Sequence, residues 1–311
     1  MTAAFLAAHG FGAAWAQLLP ADASFRRYTR LAGGPRPALL MHAPPPEDIR
    51  PFRDIAEYLR AAGLPAPEIL GADADAGLLL VEDFGAFTMA DLLDQGAAPG
   101  PLYEAAADML AALHAVPPMP AMPAWGLAEM QRATAATFLD WWWPAAMGAP
   151  PAPEIRSGLD AALAAMLAPF AGQGFVHRDF FPANLMPLPG RMGLLDFQDA
   201  AIGNPVYDLV SLVEDARRDV PVPLRNATVA RYQARAGMPD LATAMAALGA
   251  QRHLRVAALW VRLDRRDGRP RYLEHGPRCW ALLDRALTHP ATAPLRAFLD
   301  RWVPPARRRN P

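Results

Sequence analysis

The sequence predicts an α+β fold of two lobes, a small strand-rich N-terminal lobe over residues 1–84 and a large, mainly helical C-terminal lobe over residues 85–311. Three observations carry this expectation. Up to residue 90, short apolar runs bounded by Gly and Pro surround a single amphipathic helix. From Asp91 the apolar residues recur at three- and four-residue spacing, as helices require. Between Phe175 and Asp196 three runs too short for helices interrupt that pattern.

Taken in order, Met1 to Ala21 carries no Asp, Glu or Arg and reads as an amphipathic first helix. It lacks the basic start of a secretory signal and is broken by Gly10 and Gly12. Phe25 to Leu31 and Ala38 to His42 read as strands joined at Gly33, Gly34 and Pro35, where glycine supplies the positive φ of a tight turn. Ile49, Phe52, Ile55 and Leu59 mark a helix that opens near Pro51 and closes at Gly63. Gly77 to Glu82 reads as a buried strand leading into a linker. Leu102, Ala106, Met109, Leu110 and Leu113 share one face of a helix after Pro101. The prolines between Pro117 and Pro123 make a loop and rule out a continuous membrane-spanning helix there. Helices are expected at Glu129 to Trp143 and Glu154 to Phe170, and strands at Phe175 to His177, Leu185 to Leu188 and Gly193 to Asp196. The chain from Val206 reads as almost wholly helical, with Arg307 to Asn310 a frayed tail.

Composition narrows the function classes. The 311 residues are 53% hydrophobic and 20% charged with a net charge of −1, which gives no whole-chain field for nucleic acid or a membrane surface. All thirty basic residues are Arg, and Ala200 to Pro311 holds nineteen of them against ten acidic residues. That segment suits anions better than polycations. A single cysteine, Cys279, excludes an internal disulfide and reads as a buried thiol of a reducing, cytoplasmic protein.

The chemistry concentrates in HRDFFPAN at His177 to Asn184, followed by LLDF at Leu194 to Phe197. Phosphoryl transfer asks a protein to orient an acceptor hydroxyl, accept its proton and hold magnesium on hard oxygen ligands. Asp179 suits the catalytic base, and Asn184 and Asp196 suit Mg²⁺ ligands. Their spacing places the three residues around a short loop and the strand that returns beside it. The layout is therefore that of a bilobal protein-kinase-like fold, with ATP as donor. His177 and Arg178 read as supports of the catalytic loop. Asp208, on the amphipathic stretch NPVYDLVSL, reads as a structural partner of that loop rather than a metal ligand. Ser24, Phe25, Arg26 and Arg27 stand where a phosphate-covering loop would lie, and Glu82, Asp83 and Phe84 where main-chain groups would meet the purine edge.

These motifs resemble the aminoglycoside phosphotransferase and choline kinase superfamily. Within it the sequence is most similar to the bacterial family of anomeric sugar kinases acting on N-acetylmuramate and N-acetylglucosamine. DASFRRY at Asp22 to Tyr28, LLMHAPPPED at Leu39 to Asp48, LLLVEDFG at Leu78 to Gly85 and LLDFQDAAIGNPVYDLVSL at Leu194 to Leu212 carry the likeness. QRHLRV at Gln251 to Val256 and RDGRPRYL at Arg266 to Leu273 extend it toward the C-terminus. The resemblance implies ATP, Mg²⁺ and formation of a sugar α-1-phosphate in cell-wall sugar recycling. It aligns Met41 with the strand lysine by which many relatives hold the α and β phosphates, and this chain has no lysine. Phosphate neutralisation would then fall to magnesium, loop amides, Arg26 or Arg27. Gln198 and Asp199 match a pair that follows the metal aspartate and are placed near the acceptor. Trp142 offers a sugar ring an aromatic face or serves packing, and Glu129 contacts the acceptor or opens a helix. Kinases for an aminoglycoside, choline-like or homoserine-like alcohol, and an inactive kinase-fold binding module, are the competing expectations. The expected protein is a monomer.

Overall fold

The structure, a computed structural model, describes residues 2–20 and 25–311. Its first elements are helix α1 (Thr2–Ala8) and strands β1 (Trp15–Leu18), β2 (Arg27–Ala32) and β3 (Ala38–His42). Helix α2 (Arg50–Ala61), strands β4 (Ile69–Asp73) and β5 (Leu78–Glu82), and helices α3 (Met89–Asp94) and α4 (Pro99–Ala115) follow. Next come strand β6 (Ala124–Trp125), helices α5 (Leu127–Thr134), α6 (Trp143–Met147) and α7 (Pro153–Leu167), and strands β7 (Gly174–Val176), β8 (Leu185–Leu188), β9 (Arg191–Leu194) and β10 (Ala201–Gly203). The remainder is helical: α8 (Val206–Val213), α9 (Val222–Ala236), α10 (Leu241–Asp267), α11 (Gly276–Ala286) and α12 (Ala293–Trp302).

Two compact units result. The first joins Met1–Leu113 to Pro182–Asp199, and the second comprises His114–Phe181 and Ala200–Pro311. All described residues of 1–84 thus fall in the first unit, accompanied by α3, most of α4 and the β8–β9 hairpin.

In the first unit, five antiparallel strands run in the order β1-β2-β3-β5-β4. Alternation sorts the side chains. Leu31, Ala38, Leu40, Leu78 and Leu80 pack with Phe11 on one side, joined by the partly buried Phe5 and Leu6. Tyr28, Met41 and Leu79 are register partners on the opposite side. The turn between β2 and β3 uses Gly33 at φ +79°, a conformation that a side chain would strain. Helix α2 buries Phe52, Ile55, Ala56 and Leu59, the face its spacing predicts.

The second unit is built on α10, a 27-residue helix packed against α8, α11 and residues 135–142. Ala135–Trp142 is a π-helical stretch between α5 and α6. A three-stranded sheet in the order β6-β10-β7 lies in the same unit, with Ala201 of β10 opposite Val176 of β7.

Two expectations are corrected. Helix α1 ends at Ala8, and Trp15–Leu18 is the edge strand β1 rather than more helix. All four of its residues are exposed, so the strand is held by its ladder to β2 and leaves no burial periodicity in the sequence. The C-terminal tail is docked, not frayed. Trp142 and Trp280 donate their indole N–H groups to the Arg309 carbonyl and Asn310 Oδ1, both at 2.9 Å, while Arg308 pairs with Asp284 at 2.8 Å and Asp300 at 2.6 Å. A buried indole N–H needs an acceptor, and here the tail supplies it. Among the described residues no helix is long and apolar enough to cross a membrane.

Candidate active site

In the second unit, strand β7 delivers His177, Arg178 and Asp179. Arg178 has φ +73°, which costs a non-glycine residue on the order of 1 kcal/mol or more and persists only where the surroundings impose it. Asp208 on α8 supplies that constraint. Its carboxylate is fully buried and accepts from the amide N–H of His177 at 2.6 Å and of Arg178 at 2.8 Å, with His114 Nε2 at 3.4 Å. Two charge-assisted bonds to successive amides pin the turn that aims Asp179. His177 is buried with its ring edge-on to Phe180, and the Arg178 guanidinium lies 4.2 Å over the Trp125 ring. Asp179 is half-buried, and its carbonyl accepts from Phe181 N–H at 3.1 Å.

In the first unit, the β8–β9 hairpin brings Asn184 and Asp196 together. Asn184 closes the turn before β8, and Asp196 lies two residues beyond β9 at φ +58°. Leu185 pairs with Leu194, Leu195 N–H donates to the Asn184 carbonyl at 3.0 Å, and Asn184 Nδ2 stands 3.4 Å from Asp196 Oδ2. Asp196 is exposed, and Gln198 Nε2 donates to its Oδ1 at 2.8 Å. Asp199, the next residue, is also exposed.

An amide oxygen and an exposed carboxylate suit magnesium, which takes one or two carboxylates plus phosphate and water. Turning the Asn184 amide over presents Oδ1 beside Asp196 and needs no backbone change. No group of three or more His, Cys, Asp or Glu that could hold a metal ion occurs among the described residues.

The other expected nucleotide residues lie in the same unit, except that Ser24 is outside the described residues. Phe25 is exposed, Arg26 pairs with Glu47 at 2.8 Å, and Arg27 opens β2. Met41 is fully buried. The linker is already partly committed: Glu82 N–H bonds the Glu68 carbonyl at 2.9 Å and Asp83 N–H the Pro37 carbonyl at 3.3 Å. Arg30 clamps Asp83 through two hydrogen bonds, at 2.5 and 3.1 Å. Phe84 packs so closely on β9 that a Cβ at Gly193 would come within 2.8 Å of its ring.

Two expected acceptor residues are occupied locally. Trp142 is fully buried, stacked on Phe138 at 4.9 Å with Trp280 at 5.3 Å, so its ring serves packing. Glu129 caps α5, where hydrogen bonds from its own amide, from Arg132 and from Gly126 hold its carboxyl below the usual range.

Tyr28 and Arg255 escaped the reading of the sequence. Burial, and then the charge of Asp196, push the Tyr28 phenol up to about 12. It ends the DASFRRY segment, but an aromatic in a strand reads as core. Arg255 on α10 donates to Tyr207 Oη at 3.1 Å and feels the charge of Asp179.

A fold with a buried aspartate pinning an HRD turn, and an Asn–Asp pair on a hairpin, defines a kinase-like phosphotransferase. The chain belongs to the phosphotransferase enzyme family, whose pattern matches residues 15–248. Within it, the chain belongs with the N-acetylmuramate/N-acetylglucosamine kinases. It is 35% identical over 362 residues to the one from Caulobacter vibrioides, covering 99% of this chain and 97% of that protein. The one from Pseudomonas aeruginosa is 38% identical over 286 residues, covering 88% and 84%. The fold is also that of a thermostable mutant of aminoglycoside phosphotransferase APH(4)-Ia solved with AMP-PNP and hygromycin B. The TM-score is 0.61 at 19% identity, covering 92% of this chain and 98% of that one.

Proposed function

We propose that this protein transfers the γ-phosphoryl group of ATP to the anomeric hydroxyl of N-acetylmuramate, N-acetylglucosamine or both, releasing the α-1-phosphate for cell-wall sugar recycling. The arrangement around Asp179 carries the reading. A carboxylate on a turn held by two bonds to Asp208 is fixed in position, as a general base must be, and Asn184 follows it by five residues. In this reading Asp179 orients the acceptor hydroxyl and takes its proton as the oxygen attacks the γ-phosphorus, while ADP leaves. Asn184 and Asp196 would hold Mg²⁺, which supplies neutralising charge to the phosphates. Gln198 steadies the Asp196 carboxylate.

With Met41 buried and apolar where many relatives carry a lysine, phosphate charge must be met otherwise. Amides of the segment containing Ser24, together with Arg26 or Arg27, are the proposed source. The purine edge would be read by linker carbonyls and the Phe84 amide, because the N–H groups of Glu82 and Asp83 are spent internally. Gln198 and Asp199 would border the acceptor. The names carried by the relatives, together with the arginine excess after Ala200, favour an amino sugar over a polycationic aminoglycoside.

The test is ADP release over a panel of N-acetylmuramate, N-acetylglucosamine, an aminoglycoside, choline and homoserine, with phosphorus NMR of the product. Turnover on the amino sugars with an α-anomeric phosphate signal is expected. Turnover only on another alcohol, or ATP binding with no acceptor-dependent turnover, would contradict the proposal.

A further inference from the structure

Helix α10 carries the QRHLRV segment, in which Arg252 is buried 5.9 Å from the Tyr207 ring centroid with its Nε and Nη1 lacking hydrogen-bond partners. Gln251 and His253 are spent inside the core: Gln251 Nε2 donates to Thr134 Oγ1 at 2.9 Å, and His253 Nε2 lies 2.7 Å from Glu214 Oε2. Arg255 is different. Its Nη2 donates to Tyr207 Oη at 3.1 Å and its guanidinium stands 5.8 Å from the Trp125 ring, the same ring that Arg178 covers. Its Nε is buried without a hydrogen-bond partner, and none of the ion pairs among the described residues includes it. Burial pulls its pKa down, but Tyr207 and the charge of Asp179 outweigh that, so the group stays protonated.

The surroundings sharpen the point. Arg262, seven residues on, feels Arg255 as a like charge; burial first and then Arg266 lower its pKa, and its Nε also has no partner. At 3.6 residues per turn, Arg255, Arg262 and Arg266 fall within about 40° of one another on the helix. Only Arg266 has a carboxylate, Asp267 at 2.7 Å. A buried guanidinium N–H without an acceptor is an unmet donor, and a charge-assisted bond to an anion satisfies it. Guanidinium and carboxylate also match in planar, bidentate geometry.

We infer that Arg255 recognises an acid group on the acceptor, binding the carboxylate of a lactyl-bearing amino sugar and so favouring it over the neutral amino sugar. The inference rests on the proposal that Asp179 is the acceptor base. It goes further by assigning the discrimination to one side chain.

The test compares kcat/KM for N-acetylmuramate and N-acetylglucosamine, at saturating MgATP, in the full chain and in Arg255→Gln and Arg255→Lys. In Arg255→Gln the value for N-acetylmuramate falls at least about tenfold further than that for N-acetylglucosamine, mainly through KM, and Arg255→Lys recovers part of the difference. Equal losses on both sugars would overturn the inference and assign Arg255 to the phosphoryl group or to packing. An unchanged ratio would overturn it as well. The wild-type chain gives a readout that needs no variant: N-acetylmuramate should show a KM at least about tenfold below that of its methyl ester, and equal values reject the role. Wild-type turnover on neither sugar would sink the functional proposal itself, a result distinct from an active enzyme whose acid and ester behave alike.

Discussion

Asp208 pins the left-handed residue Arg178 and Asp196 is itself left-handed, yet the two carboxylates live in opposite environments. Asp208 is fully buried, and both its oxygens are spent on the amides of His177 and Arg178. Asp196 is exposed, with the Asn184 and Gln198 amides beside its carboxylate. The first geometry suits a carboxylate that fixes backbone, and the second suits one that must take a hydrated cation and let it go. The difference extends to the units around them: the second is mainly helical and carries the HRD turn, and the first carries Asn184 and Asp196 at the open end of a two-stranded hairpin. In the proposed reaction the first unit serves the donor and the second the acceptor.

Removing the base should give the largest effect that tests this division. Asp179→Asn is expected to lower turnover by about a hundredfold or more, with little change in the KM for ATP, as steady-state kinetics would show. A variant of near wild-type rate would break the assignment. Asp208→Ala comes next. Two amides and a strained turn lose their partner, so a loss of about 3 kcal/mol in denaturant unfolding is expected. An exposed carboxylate should not behave so, and Asp199→Ala serves as the control.

Acid should expose a third difference. Glu214, at the end of α8, accepts from His253 at 2.7 Å and from Arg225 and pairs with Arg285. Burial works against its charge, but His253 and the two arginines hold its pKa down at about 2, below the ordinary 4.5. A depressed carboxylate contributes stability above its unfolded pKa and loses it as pH falls through the folded one. The wild type should therefore lose on the order of 2–3 kcal/mol between about pH 4.5 and 2 through this group, and Glu214→Gln should flatten that part of the profile. An unaltered slope would remove the network from the account. The smallest effect concerns Cys279, whose thiol burial pushes up to about 11, with Trp260 N–H donating to it at 3.2 Å. A thiol reagent at pH 8 should leave it unmodified until the chain unfolds.

Much of this was readable in the chain itself. Strand β3 occupies Ala38–His42 as the apolar run indicates, and the spacing of Asp179, Asn184 and Asp196 by itself points to phosphoryl transfer. What stayed hidden has physical reasons. Strand β1 is an exposed edge, held by backbone bonds that leave no mark on residue type. The tail docks through two indole N–H groups and one arginine, contacts without any period. Arg255 sits among nineteen arginines after Ala200, and the buried Nε without a hydrogen-bond partner that sets it apart from those at the surface is a property of the fold. Trp142 shows the reverse: three consecutive tryptophans invite a ligand, but the stacking of Phe138 fills the face.

The division of labour between the two units is tested most directly by calorimetric titration of MgATP into Asp179→Asn and Asp196→Asn. The account predicts wild-type-like affinity in the first and at least about a tenfold loss in the second, with the loss shrinking when magnesium is omitted from both proteins. Equal weakening in the two variants, or loss confined to Asp179→Asn, would contradict it.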